Sequence, residues 1–193
     1  MERLYIVLIL LGSYLLGSLS SAVITCRLMG LPDPRGVGSG NPGATNVYQT
    51  AGRRAALFTL SGDLLKGLSP VLFAKLFAFE PSVLALVALF SFMGHLYPIF
   101  FGFRGGKGVA TAFGAILGLD LWVALAMLLS WLLVYLRFRL SSLSALVTAL
   151  LTPLYFYLLD GEVCYLILSV VLALFVFYRH RSNIKKIIEG TED

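Results

Sequence analysis

The chain has 193 residues, of which 59% are hydrophobic and only 13% are charged, and its mean hydropathy is +0.89. An average soluble domain is about 25% charged, so this chain carries too little charge to cover a globule in water. Fifteen Lys and Arg against ten Asp and Glu give a net charge of +5, an excess that is typical of cytoplasmic loops in membrane proteins. No basic stripe with interleaved aromatic residues points to nucleic acid. These features exclude a soluble enzyme, a DNA-binding protein and a disordered tail.

Apolar segments separated by charged or Gly/Pro-rich breaks predict an all-α integral membrane protein of one domain, residues 1–193, with about seven transmembrane helices. The first apolar segment is too long for a signal-peptide core, so we expect it to be retained as a span. The fourth is too short to cross alone unless residues 102–108 also lie at membrane depth, which backbone tolerates only where it lines a cavity. Six spans are the alternative. The seven predicted spans are 4–25, 55–78, 82–100, 108–119, 121–136, 143–159 and 162–178.

Basic residues fall mainly on one side of these spans. The other side is mostly acidic, so the positive-inside rule places the N-terminus outside and the C-terminus in the cytoplasm. Cys26 and Cys164 then lie at opposite faces and cannot pair, and neither belongs to a CxxC motif or a His cluster that would predict a metal site. The basic residues on the predicted cytoplasmic side are Arg27, Arg35, Arg53, Arg54, Arg104, Lys107, Arg137, Arg139, Arg179, Arg181, Lys185 and Lys186.

The first of three unusual segments on this side covers residues 33–46 and is rich in Gly, Asn, Ser and Thr. Closely spaced glycines let successive N–H groups turn toward one point and form an anion-binding nest. The hydroxyls of Ser39 and Thr45 and the amides of Asn41 and Asn46 are suited to orienting a polar ligand. A flexible cytoplasmic loop explains the composition equally well.

The second segment carries a Gly-rich sequence, Gly105, Gly106, Lys107 and Gly108, at the start of a predicted helix. Such a sequence has the physical features of a phosphate cradle, because backbone N–H groups approach an anion without side chains and the helix N-terminus adds positive potential. Arg104 and Lys107 supply charge. The spacing differs from that of a Walker A loop, so nucleotide hydrolysis is disfavoured. A simple positive-inside turn is the alternative.

The third segment is the basic tail at residues 179–190, whose charges could merely anchor the last helix at anionic headgroups, with His180 in solvent. A different signal lies inside the second span, where Asp63 and Lys66 are three residues apart. Charges inside a membrane helix usually face an interior site or each other, and a structural ion pair is the alternative to a binding role. Ser142 belongs to a hydroxyl-rich surface on the same side. Together these features predict a phosphate site with lipid-facing walls.

Three sequence motifs, in this order, resemble the cytoplasmic signatures of one family. They occupy residues 38–46 (GSGNPGATN), 94–98 (GHLYP) with 102–111 (GFRGGKGVAT), and 179–184 (RHRSNI). The chain resembles, over its whole length, the bacterial glycerol-3-phosphate acyltransferases that use acyl phosphate as donor, the PlsY family. One departure is Gln49, which stands where the family often has Arg; Arg53 or Arg54 could substitute for it.

The resemblance implies transfer of an acyl group from acyl phosphate to the sn-1 hydroxyl of glycerol 3-phosphate. The products are lysophosphatidic acid and inorganic phosphate, in the first step of phospholipid biosynthesis at the cytoplasmic face of the bacterial inner membrane. Acyl phosphate is already activated, so the enzyme needs only to position substrates, neutralise charge and handle a proton. No cofactor, no metal, no nucleic acid and no obligate protein partner are expected.

The same resemblance implies roles for individual residues. His180, held by Asn183, is the leading candidate for a general base, since its unperturbed pKa near 6.5 is close to working pH; His95 or a substrate phosphate could take the proton instead. Ser39 is the third predicted catalytic residue and is expected to hold the acyl-phosphate head or the developing oxyanion, with direct displacement favoured over an acyl-Ser39 intermediate. The predicted substrate-binding residues are Asn41, Thr45, Asn46, Arg104, Gly105, Gly106, Lys107, Gly108, Ser142, His95 and Lys66.

Two other functions are weighed against this one. The acyl-CoA-dependent glycerolipid acyltransferases need a carboxylate five residues after a His, and here Phe100 follows His95 and Lys185 follows His180 at that distance. A transporter of an organic phosphate would suit the basic loops and the charged pair in the second span. It is disfavoured because the sequence shows no inverted repeat and its charges cluster at one face.

Overall fold

The computed structural model describes residues 2–192, which form ten α-helices, one turn of 3-10 helix at Ile99–Phe101 and no strand. Each predicted apolar segment corresponds to a helix or a pair of helices, so the all-α prediction is confirmed. The helices are α1 Glu2–Gly17, α2 Ser21–Leu28, α3 Ala44–Ala51, α4 Arg53–Lys75, α5 Pro81–Leu96, α6 Val109–Leu119, α7 Leu121–Phe138, α8 Ser141–Leu159, α9 Val163–Arg179 and α10 Arg181–Ile188.

Four helices are long and apolar enough to cross a membrane: α4, α5 with the 3-10 turn that follows it, α7 and α8. Two further candidates are bent pairs, α1 with α2 at 46° and α9 with α10 at 63°. Because α10 turns sharply and carries Arg181, Lys185 and Lys186, we end that span at Arg179. The part of the chain that the structure describes thus contains four to six candidate spans, as in a multi-pass membrane protein.

The first predicted span, 4–25, is not one continuous helix. It is broken at residues 18–20, where α1 ends and α2 starts in a new direction. The sequence there is Gly-Ser-Leu-Ser-Ser, and the Ser18 hydroxyl donates to the Tyr14 carbonyl at 2.8 Å. Ser and Gly favour helix ends, because Ser competes for backbone hydrogen bonds and Gly adds chain entropy. The fourth predicted span is short, as expected, since α6 has 11 residues.

In each of two helix pairs, the backbones of the two helices are in direct contact. In the pair α4 and α6, a Cβ on Gly67 would lie 2.1 Å from the Thr111 carbonyl oxygen, and a Cβ on Gly114 would lie 2.1 Å from that of Leu64. Each helix therefore presents a glycine to a carbonyl of the other. Small residues are the usual means of close helix contact in membranes, where lipid is as apolar as the side chains.

The same reciprocal arrangement joins α1 to α5. A Cβ on Gly17 would lie 2.1 Å from the Ser91 carbonyl oxygen, and one on Gly94 would lie 2.3 Å from that of Tyr14. The apolar core between these pairs is built around fully buried Phe92. Both cysteines are free in the structure, as predicted. This core holds the ends of α5, α6 and α9 beside one another, where the candidate site forms.

Candidate active site

The first Gly-rich loop connects α2 to α3 and is held in shape by Asn46. The Asn46 amide nitrogen donates to the carbonyls of Pro34 at 2.9 Å and Val37 at 3.1 Å, and its oxygen accepts the Ser39 N–H at 2.9 Å. Only 2% of Asn46 is exposed. The structure thus uses the amide of Asn46 inside the loop, and a contact of Asn46 with substrate stays a prediction.

The other predicted residues of this loop face outward. Ser39 and Thr45 are exposed, and Asn41 is half-buried. Fixing the backbone through Asn46 leaves the Ser39 hydroxyl beside the Asn41 N–H at 3.5 Å, which is at the limit of a hydrogen bond. These three side chains are therefore accessible to a ligand approaching the loop.

Arg35 links the first loop to the second. Its guanidinium forms an ion pair with Asp33 at 2.6 Å and donates from Nη1 to the Phe101 carbonyl at 3.2 Å. The hydrogen bonds from Arg35 hold the pKa of the Asp33 carboxyl below its usual range. The two Gly-rich segments, distant in sequence, thus meet at one end of the bundle.

The second Gly-rich loop, residues 102–108, directs the carbonyls of Gly105 and Gly106 toward the guanidinium of Arg179. Arg179 donates from Nη2 to the Gly105 carbonyl at 2.7 Å and from Nε to the Gly106 carbonyl at 3.1 Å. The Gly106 N–H donates to the His95 carbonyl at 3.2 Å. The next N–H, that of Lys107, has no acceptor among residues 2–192 and points away from Arg179, since the N–H and C=O of one peptide are opposed. A backbone N–H without an acceptor is the kind of group that an anion-binding nest uses.

Glycine is required in this loop for close approach. A Cβ on Gly105 would lie 2.0 Å from the His95 carbonyl oxygen, and one on Gly106 would lie 2.3 Å from His95 Nε2. Gly108 has a positive φ of 86° and immediately precedes α6, whose N-terminal N–H groups add positive potential beside Lys107. The structure therefore brings Gly105 to Gly108 together as the sequence predicts, against the side of α5.

Lys107 joins the second loop to the tail. Its Nζ donates to Asn183 Oδ1, and Asn183 Nδ2 donates to Glu192 Oε1 at 2.6 Å. The expectation that Asn183 holds His180 is thus corrected, because both sides of its amide bond other residues.

His180 lies one residue beyond α9, outside the span, and only 3% of it is exposed. Its Nδ1 lies 2.8 Å from the Val176 carbonyl; since a carbonyl only accepts, the proton sits on Nδ1 and Nε2 is left as the acceptor. Burial lowers the pKa of His180 to about 4, and the nearby charge of Lys107 acts in the same direction. The imidazole is therefore neutral at neutral pH.

Two predicted residues complete the described surface. Ser142 is buried in the first turn of α8, and its hydroxyl has no hydrogen-bond partner within the described chain. The hydroxyls of Thr59, Thr111 and Thr148 are buried in the same way, so it is the place of Ser142 in the first turn of α8 that makes it a candidate. Arg104 is exposed at the edge of the second loop.

Lys66 and His95 lie inside the bundle. Lys66 Nζ is 2.9 Å from Asp63 Oδ1 and donates to the Leu19 carbonyl at 2.8 Å. This is the structural ion pair that was the alternative to a binding role, and a substrate contact of Lys66 stays a prediction. His95 Nδ1 lies 3.5 Å from the same carboxylate oxygen, and its other side faces the second loop. His95 therefore supports the loop from behind.

Sequence reasoning missed two residues of this site. Arg179, which holds two loop carbonyls, stands next to His180 within the third motif, and that adjacency was the signal available. Glu192 had no signal, because a lone acidic residue in a polar tail is usually solvated.

The family model described as glycerol-3-phosphate acyltransferase matches residues 7–190. The chain belongs to the glycerol-3-phosphate acyltransferase family. This membership makes it an acyltransferase of phospholipid biosynthesis, and its helices make it a membrane protein.

Curated relatives of the acyltransferase align with almost its whole length. It is 58% identical to the glycerol-3-phosphate acyltransferase of Thioalkalivibrio sulfidiphilus over 95% of this chain and 91% of that protein. It is 54% identical to that of Hydrogenovibrio crunogenus over 94% and 88% respectively.

Two crystal structures of PlsY (YgiH), an integral membrane glycerol 3-phosphate acyltransferase, share the fold of the acyltransferase. The glycerol 3-phosphate form has a TM-score of 0.93 at 38% identity. The lysophosphatidic acid form has a TM-score of 0.91 at 36% identity. Both comparisons cover 98% of this chain and 94% of the solved one.

Proposed function

We propose that the protein transfers an acyl group from acyl phosphate to the sn-1 hydroxyl of glycerol 3-phosphate. Acylation of glycerol 3-phosphate to lysophosphatidic acid is the activity of its family. The use of acyl phosphate as the donor and of the sn-1 hydroxyl as the acceptor goes beyond that activity and is the proposal. The observation that carries it is the contact between Lys107 and Asn183, which joins the Gly-rich loop to the segment containing His180. Phosphate-binding and proton-accepting groups thereby lie in one place.

In the proposed reaction the sn-1 oxygen attacks the carbonyl carbon of the acyl phosphate. The new ester bond forms, the bond between the carbonyl carbon and the phosphate oxygen breaks, and inorganic phosphate leaves. The hydroxyl proton passes to a base. Because the donor is a mixed anhydride with a good leaving group, positioning and charge neutralisation supply most of the catalysis.

The second loop is the proposed site for the phosphate of glycerol 3-phosphate. The free Lys107 N–H, the Lys107 ammonium and the first turn of α6 all present positive charge there. Arg104, exposed at the loop edge, is placed to contact the same anion from the solvent side. Gly105, Gly106 and Gly108 allow the backbone to approach it.

The first loop and α8 are the proposed site for the donor head. Ser39, Asn41 and Thr45 present hydroxyl and amide groups at the surface, and Ser142 contributes a buried hydroxyl without a partner. Such groups suit the acyl-phosphate oxygens or the oxyanion that develops at the carbonyl. We favour direct displacement, and acylated Ser39 isolated after mixing with donor alone would contradict it.

Two proton acceptors fit the site. His180 Nε2 is unprotonated and neutral, as a general base must be, although a pKa of about 4 makes it a weak one. A substrate phosphate oxygen, with a second pKa near ~6, is the other acceptor. We propose His180 first, because it belongs to the segment that Lys107 contacts through Asn183, whereas the other buried imidazole, His95, supports the loop from behind.

We further propose seven crossings in the bacterial inner membrane, with the N-terminus outside and the site facing the cytoplasm. The seventh crossing is α6 together with the 102–108 loop. The excess of basic residues on the side of the Gly-rich loops supports this orientation. Labelling single cysteines placed at Tyr48 and at Glu80 with an impermeant reagent in inverted and right-side-out vesicles would test it.

The decisive assay uses purified protein in mild detergent with glycerol 3-phosphate and either acyl phosphate or acyl-CoA. Phosphate release and lysophosphatidic acid formation are followed together. Equal appearance of both with acyl phosphate only is expected. Product from acyl-CoA would contradict the proposed donor. No product from either donor, with uptake of glycerol 3-phosphate by proteoliposomes, would favour a transporter.

A further inference from the structure

Three titratable side chains meet inside the bundle where α4 contacts α5, and the proposed chemistry uses none of them directly. Asp63 Oδ1 lies 2.9 Å from Lys66 Nζ and 3.5 Å from His95 Nδ1. Each side chain is at most 6% exposed. Charged groups within a membrane bundle are costly and are kept for a function or for each other, so the cluster needs a physical explanation.

His95 is the member of the cluster that contacts the second loop, residues 102–108, which is the proposed phosphate site. Its carbonyl accepts the Gly106 N–H at 3.2 Å, and a Cβ on Gly106 would lie 2.3 Å from His95 Nε2. The imidazole therefore lies directly against the Gly106 backbone, with Nδ1 turned toward Asp63. Because one ring nitrogen faces a carboxylate and the other faces the loop, a rotated ring would displace the loop.

Lys66 connects the same carboxylate to the break in the first span. Its Nζ donates to the Leu19 carbonyl at 2.8 Å, and the Ser91 hydroxyl on α5 donates to the Lys66 carbonyl at 2.6 Å. Carbonyls at a helix break lack their helical donors and need another inside a membrane. Lys66 therefore supplies a hydrogen-bond donor to the Leu19 carbonyl at the break and holds Asp63 in a fixed place beside α5.

From these contacts we infer that Asp63 is a positioning residue of the active site, which acts through His95 to hold Gly106 where Lys107 can bind phosphate. The inference rests on the proposed binding of glycerol 3-phosphate by this loop. A separation of 3.5 Å is longer than a well-formed hydrogen bond, so Asp63 orients the ring mainly by charge. Carboxylates that orient an imidazole in this way commonly support functional sites.

The test removes both charges of the pair at once. Asp63→Asn alone would leave the Lys66 ammonium buried without a counter-charge, which destabilises a fold, so it is combined with Lys66→Met. The double variant should raise KM for glycerol 3-phosphate by about tenfold. KM for acyl phosphate should stay within about twofold, because Asp63 acts on the loop proposed to bind the acceptor.

Lys75→Met is the matched control. Lys75 lies on the same helix, and its Nζ also donates to a backbone carbonyl, that of Leu119, at 2.8 Å. Its contact is at the other end of α4, away from the loop. This variant should leave both KM values unchanged, and an equal rise in KM with Lys75→Met would show a general effect of the helix and overturn the inference.

Hydrogen–deuterium exchange gives a measure that does not depend on the proposed reaction. In the double variant, the amide of Gly106 should exchange about tenfold faster, whereas the amides of α8 should exchange at rates near the wild-type values. If the wild-type protein transfers no acyl group, the proposed function fails while this exchange still tests the positioning. Unchanged exchange at Gly106 would contradict Asp63 as a positioning residue.

A double-mutant cycle tests the route through His95. His95→Asn keeps an amide near the position of Nδ1 and removes Nε2 from the loop. If Asp63 acts through His95, adding the double substitution to His95→Asn should raise KM for glycerol 3-phosphate no further. Additive increases in KM would show that the two act independently and would overturn the inference.

Discussion

Lys107 and Asn183, 76 residues apart in the sequence, are joined by a hydrogen bond from Nζ to Oδ1. Asn183 uses its other amide atom to bond Glu192. The Lys107 ammonium is therefore held by the tail of the chain while its backbone belongs to the Gly-rich loop. Both segments therefore contribute to the proposed phosphate site, and the contact fixes the direction of the Lys107 ammonium.

Replacing Lys107 should weaken acceptor binding strongly. Lys107→Met removes a partly buried charge beside the proposed phosphate, and kcat/KM for glycerol 3-phosphate should fall by ~10²-fold or more. Lys107→Arg should be intermediate, since it keeps the charge but not the shape. Lys185→Met is the control: its side chain is 77% exposed and is paired with Glu189, so activity should stay within about twofold. Similar losses at both positions would contradict a specific role of Lys107.

Gly106→Ala should displace the second loop, because the new methyl group would collide with the His95 imidazole. The new Cβ would lie 2.3 Å from His95 Nε2, so the loop must move away from α5, and activity should fall by ~10- to 100-fold. Gly12→Ala is the control, because a Cβ there meets nothing within 4 Å and alanine favours a helix. Steady-state kinetics of both variants check this. Full activity of Gly106→Ala would show that the loop tolerates the displacement.

His180→Asn separates the two ring nitrogens. Its amide can donate to the Val176 carbonyl in place of Nδ1, whereas the acceptor at Nε2 is lost. If His180 is the general base, kcat at saturating substrates should fall by ~10²–10⁴-fold. A loss below about tenfold would assign proton transfer to a substrate phosphate and leave His180 as a binding residue.

The buried His180 should also make stability depend on pH. Its pKa is about 4 in the folded protein against an ordinary 6.5, so between these values the unfolded chain binds more protons. Stability should therefore rise with pH across this interval, and the contribution should be fully present above pH 6.5. Thermal unfolding in detergent would show a steeper rise for the wild type than for His180→Asn. Equal slopes would contradict the lowered pKa.

Asn46→Ala should loosen the first loop. Three hydrogen bonds to loop backbone are lost, and the one to the Pro34 carbonyl is buried, so leaving that carbonyl unpaired costs ~1–3 kcal/mol. Faster proteolysis within residues 33–46 and lower activity are expected. Gln49→Ala, an exposed site on the same helix, should change neither. Wild-type proteolysis of Asn46→Ala would show that the loop is held by other contacts.

The sequence predicts the helices well, because long apolar runs have few alternatives in lipid. The break at residues 18–20 was missed, since small polar residues such as Ser18 and Ser20 also occur inside membrane helices. Only the packing of α1 and α2 against α4, with Lys66 bonding Leu19, shows that the helix ends there.

Within the site, sequence patterns locate the Gly-rich loops but not the internal use of their side chains. Asn46 and Lys66 have the chemistry of ligand-binding residues, and the structure uses both for backbone hydrogen bonds. The positions of Arg179 and Glu192 could not be derived, because they depend on how α9 and α10 fold back over the loop. Residue type gives the available chemistry, whereas the tertiary contacts decide which groups remain free.

The paired glycines of α4 and α6 bear on how the site moves. Gly67 and Gly114 bring the two backbones into direct contact, with no flexible side chain between them to absorb a shift. Since packed backbones of this kind deform little, α6 and the loop in front of it should move with α4 as one rigid body. We therefore expect any opening that admits a substrate to come from the first loop or the tail, with residues 105–108 as the part of the site that stays in place.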